Sequence, residues 1–322
     1  MAYETGVAAD PLDLINKLRA FLMSDPDLIA ASENWTQIDG ITEPLTDYDD
    51  PITLNSNGAA GDLDVTFGMR LRSNSVTEEY VLKYRGFPLY DLEVPYDSQL
   101  NRSVEHTIPL WNQAMNYWFI ANGRRWMIGV EVSTVWVSGY CGLILPFGTP
   151  AEFPYPFFIA GITAQGYTKR YSDLTQADRF MASPGHETAS IFVTGNTWQA
   201  VENYSSSEIS YSPSRGGNGF IGPTRANRAD TTNYDRWDGW TDEQLAEQRE
   251  LIDGSYFMRQ LIVYARNPSA MDAIGVLDGA FWISGRNQAP GNTIVDPNGD
   301  THIVLQNGNK NTFRDFMTLR LT

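Results

Sequence analysis

Apolar residues recur at helical spacing mainly near the start of the chain. There Leu12, Ile15, Leu18 and Leu22 fall three or four residues apart, and Leu14 and Phe21 widen the stripe. Asp10 is placed to cap such a helix, Pro11 suits its first position, and Asp13 sets negative charge in the first turn. Ser24-Asp25-Pro26 stops it, and a shorter turn runs on to Ala31. A helix this short gains little stability alone, so its apolar face must pack on the body or on a neighbouring subunit.

From Trp35 onward the period falls to two. Leu63, Val65, Phe67, Met69 and Leu71 alternate strictly, which predicts a strand with one buried face, and residues 80–84 predict another. Asn122-Gly123 predicts a type I′ hairpin turn. After it, Trp126, Ile128, Val130, Val132 and Trp136 share one face of a long strand, with Met127, Gly129, Glu131 and Ser133 on the other, so this strand is expected to be half-buried. Pro146, Pro150, Pro154 and Pro156 then interrupt any ladder and are expected to carry the chain along a sheet edge beside a neighbour. Residues 296–300, Asp-Pro-Asn-Gly-Asp, predict a turn between strands at 292–295 and 301–305, and a last strand falls at 313–321. The pattern predicts a mainly β protein: an antiparallel β-sandwich-like body with a short N-terminal amphipathic helix and a long polar loop. It divides into an N-terminal helical segment, residues 1–40, and a β domain, residues 41–322, with an inserted loop or arm at about 204–250. Nothing alternates for long inside that arm, although Thr241 followed by Asp242, Glu243, Leu245 and Leu251 predicts one short helix there.

Composition sharpens the picture. Hydrophobic residues reach 42% and charged ones only 19%, enough for a sizeable core. Nine Trp and sixteen Tyr suit surfaces that become partly buried. The net charge of −16 is uneven: residues 1–100 hold 18 acids against 6 bases, and residues 24–69 hold no base at all. Such a surface repels phosphate backbones, so nucleic acid is not an expected partner. It is either a solvated acidic face or a docking surface for a basic partner or a cation. A lone cysteine, Cys141, excludes an intrachain disulfide framework and predicts a buried, inert thiol. The first residues show no secretory signal and no apolar run is long enough to span a membrane, so synthesis and folding in a cytoplasm are expected.

Candidate chemistry is sparse. His106, His186 and His302 are widely spaced, with no HExxH pair, and the chain contains no GxSxG elbow and no phosphate-binding glycine loop. Neither catalytic residues nor a cofactor or metal is expected. Acid clusters at Asp47, Asp49 and Asp50 and at 235–243, including Asp238 and Glu243, could serve a glycosidase, though neither has EF-hand spacing and solvated turns account for them as well. Residues 278–285, DGAFWISG, read either as a sugar platform, with Trp282 and Asn287 as glycan-binding residues, or as a core strand following a glycine turn.

Residues 111–161, WNQAMNYWFIANGRRWMIGVEVSTVWVSGYCGLILPFGTPAEFPYPFFIAG, resemble virion structural proteins of tailed bacteriophages. The resemblance extends to DLINKLRAFL at 13–22 with Trp35-Thr36, to GVLDGAFWISG at 275–285 and to IVLQNGNKNTFRDFMTLRL at 303–321. It covers most of the chain in order and leaves out residues 204–248. What it implies is a non-enzymatic, virion-located protein in the tail, tail tip or baseplate. Its implied partners are other virion structural proteins and copies of itself in a symmetric oligomer. The alternative is a receptor- or carbohydrate-binding module at the tail tip, with a host-surface glycan as partner. The expected inter-subunit contacts are Leu12, Ile15, Leu18 and Leu22 of the helix, Phe147, Phe153, Tyr155 and Phe157 of the proline-rich run, and Trp237 and Trp240 of the arm.

Overall fold

The computed structural model describes residues 1–58, 61, 63–74, 79–148, 155–161, 189–193, 197–201, 220–222, 258–267, 270–283, 285, 287–306 and 316–322. The protein is mainly β, and its strands build three antiparallel sheets. The middle sheet runs β1 (Ala2–Ala8), β7 (Met115–Ala121), β8 (Arg125–Val132), β9 (Val135–Leu143), β11 (Phe157–Ala160), β12 (Ala189–Val193) and β13 (Thr197–Val201). One outer sheet runs β2 (Thr36–Gly40), β3 (Ile52–Ser56), β4 (Val65–Asn74), β5 (Glu79–Phe87) and β6 (His106–Leu110). The other runs β14 (Phe220–Gly222), β15 (Arg259–Asn267), β16 (Ala270–Ile283), β19 (Phe316–Arg320), β18 (Thr301–Gln306) and β17 (Thr293–Val295), with β10 (Leu145–Pro146) added to β16.

Alternation along the middle sheet sends successive residues into two different cores. Phe119, Trp126, Ile128, Cys141, Phe157 and Ile159 meet Phe67, Met69, Leu82, Tyr84 and Ile108 of the β2–β6 sheet. Ile120, Met127, Trp136, Tyr140, Phe158 and Ala160 meet Leu261, Val263, Leu277, Ala280 and Leu319 of the third sheet. The sandwich-like body is therefore three layers deep. β8 and β9 are buried on both faces rather than one, because the second face that a two-layer sandwich would expose is covered by the β14–β19 sheet.

The expected long strand from Trp126 to Trp136 is in fact a hairpin. Val132 pairs with Val135 across Ser133 and Thr134, and Ser133 has φ 58°. That turn moves Trp136 to the face opposite Trp126. Asn122 and Gly123 do mark a hairpin, between β7 and β8, yet neither has positive φ, so the type I′ turn is not formed. Asn122 works instead through its side chain, whose Oδ1 accepts from the backbone N–H groups of Arg124 at 2.8 Å and Arg125 at 3.0 Å.

Helix α1 (Pro11–Ser24) begins as its sequence dictates: the Asp10 side chain accepts from Asp13 N at 2.8 Å, with Pro11 in the first turn. A short α2 (Pro26–Ala30) follows. Leu14, Ile15, Leu18, Phe21 and Leu22 enter the core shared by the middle and β2–β6 sheets. Residues 1–40 are not a separate helical segment, since β1 pairs with β7 along its whole length and β2 belongs to an outer sheet. The weak apolar signal of AYETGVA hid β1, whose neighbour supplies the order. Of the proline-rich run, Pro146 lies in β10, which pairs with β16 alone, Pro150 and Pro154 lie outside the described residues, and the β11 strand that follows is inside the middle sheet between β9 and β12. The predicted C-terminal hairpin is formed, with Gly299 at φ 90° and Asp296 N donating to Asp300 O at 2.9 Å. The arm at about 204–250 and its expected short helix lie outside the described residues.

Candidate functional site

Two groups of ionised side chains stand out, one under a loop on an outer sheet and one between two sheets. The first lies on the face of the β2–β6 sheet that turns away from the core. β4 sends Val65, Phe67, Met69 and Leu71 inward and Arg70 outward, and β5 sends Leu82 and Tyr84 inward and Lys83 and Arg85 outward. Residues 88–105 fold back over this face. Arg70 Nη2 reaches Glu105 Oε1 at 2.6 Å, Arg85 Nη2 reaches the same oxygen at 3.0 Å, and Lys83 Nζ lies 3.5 Å from Glu105 Oε2. Arg70 also forks onto Asp97, at 2.9 and 3.2 Å. Tyr96 lies against both guanidinium groups, with its ring centroid 5.2 Å from Arg70 Cζ and 5.0 Å from Arg85 Cζ. Burial pushes the Tyr96 hydroxyl well up, only partly offset by Arg85 and Arg70, so it stays protonated. Burial alone would raise the Asp97 carboxyl, but Arg70 and Arg85 outweigh it and hold the acid below its ordinary range.

Above that clamp the loop is braced by one amide. Gln99, 1% exposed, accepts from Asp91 N and donates to the carbonyls of Asp91 and Val94. Ser103 ties the far end to Gly86: its N–H donates to the Gly86 carbonyl and its hydroxyl accepts from the Gly86 N–H, each at 3.0 Å. Tyr90 donates to Asp39 Oδ2, and Trp198 Nε1 donates to Asn101 O at 2.7 Å. On this frame Leu89, Leu92 and Leu100 are 75%, 66% and 80% exposed.

The second group fastens the middle sheet to the third. Arg125, fully buried, donates through Nε to Asp278 Oδ2 at 3.1 Å, and Asn122 Nδ2 donates to the same oxygen at 2.8 Å. Arg320 reaches Asp278 Oδ1 at 3.5 Å and Asp300 at 3.3 Å. Burial would raise the Asp278 carboxyl, but Arg125, Asn122 and Arg320 together bring it below the usual carboxylate range. The same hairpin accepts Trp35 Nε1 at Asn122 O and Ser56 Oγ at Gly123 O, so all three sheets meet there.

The residues expected at contacts with other molecules are distributed differently. Ile15, Leu18, Leu22 and Phe157 are at most 1% exposed in a single copy of the chain, because the two facing sheets supply the apolar partner that a neighbour was expected to supply; they are corrected from interface to core. Leu12 is partly buried against that core, as is Tyr155, whose ring meets Phe157 and Phe192 and whose hydroxyl donates to Asp64 O. Phe147 is 53% exposed. Phe153, Trp237 and Trp240 lie outside the described residues. Trp282 is buried on β16 and Asn287 is exposed, so the two do not form a sugar platform, and residues 278–283 are core strand as the alternative reading had it.

Chemistry is quiet elsewhere. Burial raises the Cys141 thiol well above its ordinary value, which keeps it protonated and unreactive. His106 Nε2 is 3.0 Å from Ser190 Oγ, His302 is 3.6 Å from Asp296, and His186 lies outside the described residues. Asp49 pairs with Arg72 at 2.8 Å in a surface turn, and the 235–243 acids lie outside the described residues. Among the described residues, no group of three or more His, Cys, Asp or Glu could hold a metal ion, and no helix is long and apolar enough to cross a membrane. The Arg70–Glu105 clamp went unread in the sequence, although a signal existed. Four of the six bases in residues 1–100 are Arg70, Arg72, Lys83 and Arg85, placed at period two on adjacent strands.

No protein-family model matches the chain, and no curated protein matches it.

Proposed function

We propose that this protein is a non-enzymatic structural component of a tailed-phage virion, assembled as a symmetric oligomer with other virion proteins in the tail, tail tip or baseplate. The observation that carries the reading is the use made of ionised side chains. Arg70, Arg85 and Glu105 clamp a loop to an outer sheet, and Arg125, Asp278 and Arg320 fasten two layers together. Both groups tie parts of the fold together. The ordered resemblance of residues 13–22, 111–161, 275–285 and 303–321 to phage virion proteins supports the location. A three-layer body with a rigid middle sheet suits a part that must hold its shape under load.

Mass spectrometry of purified, nuclease-treated virions tests the proposal. The chain is expected in intact particles at a fixed stoichiometry to the other structural proteins. Its absence from intact particles, with presence only in the lysate, rejects the proposal.

A further inference from the structure

The loop that the Arg70–Glu105 clamp holds down has a surface of its own. Three leucines standing 66–80% exposed on one short segment are a different matter from the scattered apolar residues of an ordinary surface. The segment is not free to fold them away. Gln99 bonds across to Asp91 at both backbone groups, so Leu92 and Leu100 each adjoin one of the two bonded residues. Tyr90 bonds to Asp39, Ser103 to Gly86 and Trp198 to Asn101, and Tyr96 is packed between Arg70 and Arg85. A surface held rigid before binding loses little conformational freedom when it is covered.

Charge identifies the occupant. Residues 88–105 carry four acids against one base, Arg102, whose guanidinium turns back to donate to the Gln99 carbonyl at 2.8 Å, while Asp91 and Glu93, both exposed, flank Leu92 and form no ion pair among the described residues. Asp39 joins them through Tyr90. A second copy docking here would set these acids against their own kind, and anionic lipid headgroups or nucleic acid would be repelled in the same way. We propose that this loop docks a basic segment of another protein, whose aliphatic side chains cover Leu89, Leu92 and Leu100 while its lysines or arginines meet Asp91 and Glu93. The proposal goes beyond the virion reading and stands independently of it.

The test uses the full chain and a fluorescein-labelled amphipathic peptide of lysine and leucine, read by fluorescence anisotropy across a salt series. Saturable binding is expected. The variant Leu89→Ser/Leu92→Ser/Leu100→Ser leaves the charge unchanged and is expected to weaken binding by about tenfold or more. Asp91→Asn/Glu93→Gln is expected to weaken binding and flatten its salt dependence. Asp27→Asn/Ile29→Ser, an exposed acid and an isoleucine 52% exposed on α2, is expected to bind as the parent does. Circular dichroism melts confirm that all variants fold. Absence of saturable binding overturns the proposal, as does a leucine variant that binds like the parent, which would mean charge attraction alone. A control variant that loses as much also overturns it. Leucine-dependent self-association in sedimentation assigns the surface to a second copy, and leucine-dependent binding to phosphatidylglycerol vesicles assigns it to lipid; either result rejects the basic protein segment.

Discussion

Glu105→Gln removes the carboxylate on which the outer clamp converges. Arg70, Arg85 and Glu105 side chains are each 8% exposed and Lys83 is 10% exposed, so three cations face this acid where water reaches them poorly. Asp97, the other acid, is 58% exposed and screened by solvent. Removing one partner of a buried ion pair costs about 3–5 kcal/mol, most of it the desolvation of the charges left behind. The unfolding entropy is roughly 2.1 cal/mol/K per residue, or about 0.7 kcal/mol/K for this chain, so the melting temperature should fall by about 4–7 °C. Urea unfolding followed by tryptophan fluorescence, with calorimetry for the melting temperature, measures both quantities. Asp97→Asn is the internal control, because an exposed pair contributes at most about 1 kcal/mol. The reasoning fails if Glu105→Gln lies within about 0.5 kcal/mol of the parent, or if Asp97→Asn costs as much as Glu105→Gln.

Three further outcomes follow from particular contacts. Asp278 has a depressed folded-state pKa, so the stability it contributes is complete above its ordinary value of 3.8 and drains away as pH falls through the lower folded value. Asp278→Asn should therefore destabilise the protein at pH 7 and flatten the acid limb of a stability–pH curve; an acid limb identical to the parent's would contradict this. Gly139 faces the Tyr84 hydroxyl, and an added Cβ would also lie 2.8 Å from Ile108 Cδ1, so Gly139→Ala should cost about 1–3 kcal/mol in urea unfolding. A neutral result would mean that the two layers are not held at this spacing. Cys141, the chain's one thiol, should resist iodoacetamide at neutral pH in the native state and react fully in denaturant, as read by intact-mass spectrometry.

Much of the fold was legible because local chemistry and tertiary packing agree. Asp10, Pro11 and the Leu14–Leu22 stripe specify a capped amphipathic helix that packing then completes, and Val65 to Leu71 alternate because one face meets a core. The third layer was not legible. A strand buried on both faces differs from a half-buried one only in the residues that meet the second sheet, and in β8 and β9 these include Met127, Gly129 and Ser138, which carry no distinctive pattern. The same omission misplaced Ile15, Leu18, Leu22 and Phe157 at interfaces, because an apolar stripe reports that it is covered and not by what. The clamp was hidden for a related reason: Arg70 and Arg85 read as ordinary surface residues until residues 88–105 fold over them and bring in Glu105. Asn122-Gly123 marked the correct turn by the wrong mechanism, since an asparagine can order a hairpin through its side chain as well as through positive φ.

The most direct test of the proposed role is a cryo-electron-microscopy map of the particles to which the proposal assigns this chain. The account predicts that the three-layer body, with the α1 stripe buried inside each copy, repeats around the symmetry axis of the tail, tail tip or baseplate. A map at side-chain resolution in which no symmetric part accommodates that body would contradict it.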